Sequence, residues 1–351
     1  MTSTVETAVG PTRGSEFAAL RRQVSAAKLL ERRRGNYALR IAVTVAGFAA
    51  TWYAFVLVGD SWYTTIVAGV LGLAFTQVAF LGHDGGHQQV ARSKRANDVL
   101  GLLTGDLLVG LSYGWWVDEH NRHHSRPNHE GYDPDIGEGV LAFTVDQAAT
   151  RSGPVSRFIA AHQAWLFFPL LTLEGINLHV QGFGWLRRTR VRRYRRVELA
   201  LLSVHTLAYL TGVLVVLSPV KALVFVAIHQ AVWGVYMGCS FAPNHKGMPT
   251  IQPGHELDFL RRQVLTTRNV RGGWLTDFLL GGLNYQVEHH LFPNMPRANL
   301  RRVQPMVRAY CAELRISYTE TSLFGSYAAA LRHLHALGEP LRAARRPAVT
   351  A

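Results

Sequence analysis

The chain has 351 residues, 37 Lys+Arg against 23 Asp+Glu for a formal net charge of +14, 16 His and only 2 Cys. Charged residues make up 17%, against about 25% in ordinary soluble domains, and the mean hydropathy is slightly positive at +0.06. A disordered chain is thereby excluded, and Cys239 and Cys311 are too few for a disulfide scaffold or a cysteine-built zinc or iron–sulfur site.

Residues 1–15 are polar and small, without the apolar core of a secretory signal peptide, and none is expected. Glu16–Arg34 reads as a basic amphipathic helix lying on the inner membrane surface. Four stretches then lack Asp, Glu, Lys and Arg: Ile41–Gly59, Ser61–Gly82, Leu199–Val220 and Ala222–Pro243. Each is long enough to cross about 30 Å of hydrocarbon as a helix. Asp60 separates the first pair and Lys221 the second, so each pair predicts a helical hairpin in the bilayer. Arg21, Arg22, Lys28, Arg32, Arg33, Arg34 and Arg40 precede the first hairpin. Arg187, Arg188, Arg190, Arg192, Arg193, Arg195 and Arg196 precede the second. The positive-inside rule puts both flanks, both termini and the chemistry below in the cytoplasm. The net charge is then a topology marker. No aromatic-interleaved basic domain points to nucleic acid, and none is expected as a partner. Val99–Val117, broken by Asp106, and Phe158–Leu173, which contains Pro169, are short for a span and read as interfacial or partly re-entrant helices.

The histidines are clustered. His83 and His87 stand at i and i+4 at the end of the second span. His120, His123 and His124 follow, and Gln286, His289 and His290 repeat their spacing with Gln in the first place. Residues at i, i+3 and i+4 share a helix face, while i+3 and i+4 diverge by about 100°, so one turn can serve two neighbouring metals. His245, beside Asn244, ends the fourth span. An even number of crossings separates these groups, which places them on one side of the membrane. Eight imidazoles exceed one metal's capacity and imply two. Imidazole suits iron, zinc, copper or nickel; a structural zinc site would be four-coordinate and rich in cysteine. Two His-rich irons with open positions suit O2 activation. The other histidines read as core or surface residues, with His205 and His229 placed to hydrogen-bond between helices.

His83-Asp84-Gly85-Gly86-His87, His120-Asn121-Arg122-His123-His124 and Gln286-Val287-Glu288-His289-His290-Leu291-Phe292-Pro293 resemble the three histidine boxes of the membrane fatty acid desaturases, over roughly residues 40–310. The Gln resembles the front-end and related acyl-lipid or acyl-CoA branch. The resemblance implies a non-haem di-iron centre held by His83, His87, His120, His123, His124, His245, Gln286, His289 and His290. That centre would use O2 and two electrons to desaturate a fatty acyl lipid or acyl-CoA. Whether Gln286 binds directly, through water or not at all stays open. Metal-bound imidazoles need carboxylate or carbonyl partners, for which Asp84, Glu119, Asp133, Asp135 and Glu288 are candidates. Asn244 is placed to hold a metal-bound water, and Trp115 and Trp116 to line an acyl tunnel or to anchor at the interface. No fused cytochrome b5 motif is seen, so a separate ferredoxin or cytochrome b5 reduced by NAD(P)H is the expected electron source. Arg261, Arg262, Arg268, Arg271, Arg301, Arg302 and Arg308 form a candidate basic surface for an acidic carrier or lipid headgroups.

The expected fold is an all-α integral membrane protein, four transmembrane helices in two hairpins under a cytoplasmic helical cap. Residues 1–37 would form a cytoplasmic segment with the amphipathic helix, 38–310 the membrane and catalytic domain, and 311–351 a cytoplasmic helical tail. A fatty acyl hydroxylase on the same scaffold is the near alternative, since both reactions begin with hydrogen abstraction. A membrane metal transporter or sensor is the remote one, because transporters place ligands near the bilayer midplane.

Overall fold

The structure is a computed structural model and describes residues 15–189 and 193–344. Arg190, Arg192, the polar start 1–14 and the end 345–351 lie outside the described residues. The order begins with α1 (Ser15–Ala26), α2 (Arg34–Val58), α3 (Thr64–Gly86) and α4 (Lys94–Gly101), which continues as a π-helical segment Leu102–Val109. Next come α5 (Tyr113–Ser125), α6 (Val145–Ala149), α7 (Pro154–Leu171), α8 (Glu174–Arg188), α9 (Arg195–Val216), α10 (Pro219–His245) and α11 (Phe259–Leu265). The chain closes with β1 (Asn269–Arg271), α12 (Trp274–Leu279), α13 (Gln286–Leu291), α14 (Arg297–Glu313), β2 (Glu320–Ser322), α15 (Leu323–Leu337) and α16 (Glu339–Ala343).

Four of these helices, α2, α3, α9 and α10, are long and apolar enough to cross a membrane. Each overlaps its expected stretch: α10 encloses Ala222–Pro243, α2 and α9 begin earlier and stop short of Gly59 and Val220, and α3 begins three residues after Ser61 and runs on to Gly86. In its most apolar window α3 is 56% buried, whereas α2 and α9 are only 17% buried. The latter two thus present bare apolar side chains such as Val43, Leu57, Leu207 and Val215, a surface that suits lipid and not water. The inner pair, α3 and α10, meets closely at Gly72, where a Cβ would stand 3.0 Å from the backbone of His229 and Trp233. Phe55, Leu71, Phe75, Val78, Phe225 and Trp233 fill the core between them and their neighbours.

The π-helical segment packs against α3 and α9 and reverses at Gly110, whose φ of +75° favours glycine. His179 Nδ1 donates to the Gly110 carbonyl at 2.7 Å and His205 Nδ1 to the Leu107 carbonyl at 2.9 Å. The Tyr209 hydroxyl meets His229 Nδ1 at 2.8 Å. These histidines tie elements together, as expected for His205 and His229. From the turn the chain enters α5, whose N-terminus is capped twice. Ser112 Oγ accepts from the Trp115 amide, and buried Glu198 accepts from the Gly114 amide and Ser112 Oγ. A carboxylate is favoured at this helix end.

A second core departs from the sequence reading. Leu20 and Val24 of α1 are fully buried against Leu260, Val264, Leu291, Leu300 and Val303. The apolar face of this amphipathic helix is therefore occupied by protein, not by a lipid surface. Its partner is the matching stripe Leu300, Val303 and Val307 on α14. The expected division between residues 310 and 311 falls inside that same helix. The all-α expectation also meets one exception: β1 and β2 pair in parallel, Val270 opposite Thr321. Three residues per strand are too few to leave an alternating signature.

Candidate metal centre

The three clusters and His245 converge. His83 sits in the last turn of α3 and His87 caps it, with ring centroids 4.7 Å apart. His120, His123 and His124 lie on α5, His245 closes α10, and Gln286, His289 and His290 lie on the single-turn-and-a-half helix α13. Side-chain nitrogens of His83, His87, His120 and His289 stand within 4.8 Å of one another, and so do those of His123, His245 and His290. His124 joins the two groups: its Nε2 lies 3.1 Å from His120 Nε2, and its ring stacks on His290 at 4.1 Å.

One or both buried imidazole nitrogens of His83, His87, His124, His245, His289 and His290 have no hydrogen-bond partner among the described residues. Each unmet group would cost about 1–3 kcal/mol; for His124 and His245 the unmet atom is Nδ1, while Nε2 lies against neighbouring imidazoles. That donor set fits two metal ions with affinity for imidazole. Burial lowers His87, His120, His124, His289 and His290 well below the ordinary histidine range, and neighbouring imidazoles add to it. They are held neutral, the form that ligates. For His123 burial lowers the value, but Asp135 and Asp133 outweigh it and the net shift is upward.

The supports are uneven. Asp133 places both carboxylate oxygens 3.0 Å from His123 Nδ1 and accepts from the amides of Asn128 and Asp135. This leaves His123 Nε2 facing His245 Nε2 at 3.3 Å. Asp135 is 3.4 Å from the same Nδ1, at the exposed rim. Asp84 lies 3.4 Å from His83 Nδ1 and pairs with Arg297 at 2.7 Å. Gln286 Nε2 is 3.1 Å from His245 Nε2, and Asn244 Nδ2 donates to the Leu283 carbonyl and to Gln286 Oε1. Gln286 thus belongs with the second group. Glu288 faces elsewhere, accepting from Asn269 Nδ2 and the Tyr318 hydroxyl; burial pushes it up to about 7. Glu119 pairs with Arg122 at the surface. Trp116 stacks on His120 at 4.5 Å over Gly86, whose Cβ would meet the indole at 2.4 Å. With His83, Ala79, Phe80, Leu111, Met237 and Phe241 it also lines a small cavity of about 20 Å³. Trp115 packs against the helix core instead. Of the candidate basic surface, Arg268 is buried and donates to the Pro243 carbonyl, and Arg261 is taken by Glu16 and Asp258.

Two residues escaped the sequence reading. Gln263, fully buried on α11, places Oε1 2.9 Å from His290 Nδ1 and donates Nε2 to the His124 carbonyl at 2.9 Å. It sets the tautomer that leaves His290 Nε2 free. No motif surrounds it, so no spacing announced it; Arg297 was one arginine among many. Replacing Gln263 by leucine keeps the volume and removes the acceptor. Metal affinity is expected to fall about 10–100-fold, measured by competition with a chelator; unchanged affinity would count against the orienting role.

The family profile described as Fatty acid desaturase matches residues 60–322. Among curated proteins, the chain is 31% identical to Delta(8)-fatty-acid desaturase 2 of Arabidopsis thaliana over 78% of its own length and 64% of that protein. It is 29% identical to an Acyl-lipid (9-3)-desaturase of Physcomitrium patens over 86% of its length and 59% of that protein. It is 31% identical to a Delta(8)-fatty-acid desaturase of Euglena gracilis over 86% of its length and 74% of that protein. The chain thus spans less than two thirds of the first two relatives.

Proposed function

The chain belongs to the fatty acid desaturase family, and from that premise we propose that it introduces a C=C bond into a fatty acyl chain. The reaction takes one hydrogen from each of two adjacent methylenes. With O2, two electrons and two protons it yields the alkene and two waters. His83, His87, His120, His124 and His289 would hold one iron, and His123, His245 and His290 the other, with Gln286 at hand. Iron bound there supplies, with O2, the oxidising power that an unactivated C–H bond requires and acid–base groups lack.

What supports the reading is two groups of buried imidazoles, the nitrogens of each within 4.8 Å of one another, beside a small apolar cavity at His83. The chain's own residues do the rest. Asp133 and Gln263 orient imidazoles, Trp116 walls the cavity from the first group, and Phe80, Leu111 and Met237 offer only apolar surface. Walls of this kind match a methylene chain in polarity, and at about 20 Å³ the cavity must widen to admit one. The four apolar helices suit two bilayer hairpins with the histidine cap on the cytoplasmic side, as the flanking arginines favour. Asp60 supports this pairing by linking the two short turns, through Ser218 and Lys221. The two electrons are assigned to an external ferredoxin or cytochrome b5.

The test is expression in a host of simple lipid profile with a reductase partner supplied. Fatty acids are then analysed by gas chromatography–mass spectrometry with double bonds located chemically. New unsaturated species are expected. Hydroxylated acids in their place would reassign the outcome to oxygenation, and no new species across several fed chain lengths would defeat the reading.

A further inference from the structure

We propose that Arg297 is a positioning residue that selectively fixes the first metal group, a reading that rests on the di-iron assignment above. Arg297 lies at the start of α14 with its side chain only 7% exposed. A buried guanidinium calls for a carboxylate partner. Nη2 of Arg297 reaches Asp84 at 2.7 Å and the Phe80 carbonyl at 2.9 Å, both on α3. The other oxygen of Asp84 lies 3.4 Å from His83 Nδ1. The charge of Arg297 therefore acts on His83 through one carboxylate.

The backbone of the same residue closes a second link. Its amide donates to the Tyr37 hydroxyl at 3.2 Å, and that hydroxyl donates to Gln89 Oε1 at 2.8 Å. Gln89 Nε2 donates back to the Pro293 carbonyl at 2.8 Å. Gln89 follows His87 by two residues, and Pro293 follows His290 by three. One ring of contacts thus joins α2, the end of α3 and the segment between α13 and α14. Its side-chain stem runs across Gly282, where a Cβ would meet Arg297 Cγ at 2.5 Å.

The side chain of Arg297 bonds only to α3, which carries His83 and His87 of the first group and no residue of the second, whereas α13 carries residues of both. The second group is secured by other means, Asp133 on His123, Gln263 on His290 and Gln286 beside His245. None of these is a partner of Arg297. A residue that merely stabilised the fold would weaken both groups alike; Arg297 is expected to govern one.

The experiment counts iron per chain by elemental mass spectrometry in purified detergent-solubilised protein, alongside thermal melting. The wild type is expected to hold two irons and Arg297→Gln about one, its remaining iron bound with unchanged affinity. Asp84→Asn is expected to give the same loss, and the double variant no further loss. Two irons in Arg297→Gln, or an equal weakening of both, would overturn the proposal. If that variant fails to fold, Asp84→Asn decides: it removes the carboxylate through which Arg297 reaches His83, so about one iron supports the proposal and two overturn it. A wild type without iron would instead defeat the di-iron assignment and the proposal with it.

Discussion

His290→Ala is expected to abolish product formation while the chain still inserts into membranes and keeps its helices. His290 stands at the seam of the centre. Its ring stacks on His124 at 4.1 Å and lies 5.0 Å from His123 and 4.8 Å from His245. Its Nδ1 is held by Gln263, and its Nε2 has no partner among the described residues. Removal takes one of three imidazoles from the second group and releases the partner that orders His124. The loss of a direct ligand should exceed the roughly 10–100-fold effect of disturbing an outer partner. Stability should fall by only about 1–3 kcal/mol, because the ring is neutral and its Nε2 bonds to nothing. Fatty acid profiling with iron analysis checks this. Substantial product from a chain lacking this ring would remove His290 from the ligand set.

Asp133→Ala should be the next most severe change. One carboxylate serves His123 Nδ1 and the amides of Asn128 and Asp135, and it is itself buried. Alanine leaves two buried donors unmet, His123 Nδ1 and the Asn128 amide, at about 1–3 kcal/mol each before relaxation, and a third, part-buried, at the Asp135 amide. The nearby Asp135 replaces little of this, since it sits 3.4 Å from His123 at the exposed edge. The second group should lose metal about 10–100-fold more readily, and the melting temperature should drop by several degrees. Asp133→Asn should recover part of the stability through the amide oxygen but little of the metal affinity, because the negative charge on His123 is gone. Calorimetry and chelator competition separate the two effects, and an Asp133→Ala protein with wild-type metal retention contradicts the assignment.

Much of the centre was legible before any fold was known. An i, i+3, i+4 histidine pattern is local, and a helix turns it into one face whatever surrounds it. The apolar runs were equally plain, since the membrane demands unbroken length and few charges. Spacing did not separate the acids beside the boxes. Glu288 directly precedes His289 yet faces Tyr318 and Asn269, whereas Asp133, nine residues beyond His124, grips His123. A one-residue step on a helix turns a side chain by about 100°, so sequence adjacency does not mean contact. The amphipathic pattern of Glu16–Arg34 announced an apolar face but not its partner, and Leu20 and Val24 found α11, α13 and α14.

Local physics in the chain itself therefore set the membrane-length helices, the ligand type and the ligands' helical spacing, because hydropathy and periodicity act within a few turns. Tertiary packing decided which imidazoles share a group, which oxygen orients each, and where the apolar cavity meets them. Those contacts join residues far apart in the chain: His123 and His245 are separated by 122 positions and Arg297 and Tyr37 by 260. No local period carries such a pairing. It exists only once α3, α5, α10 and α13 are packed and the desolvated nitrogens and charges between them have found partners.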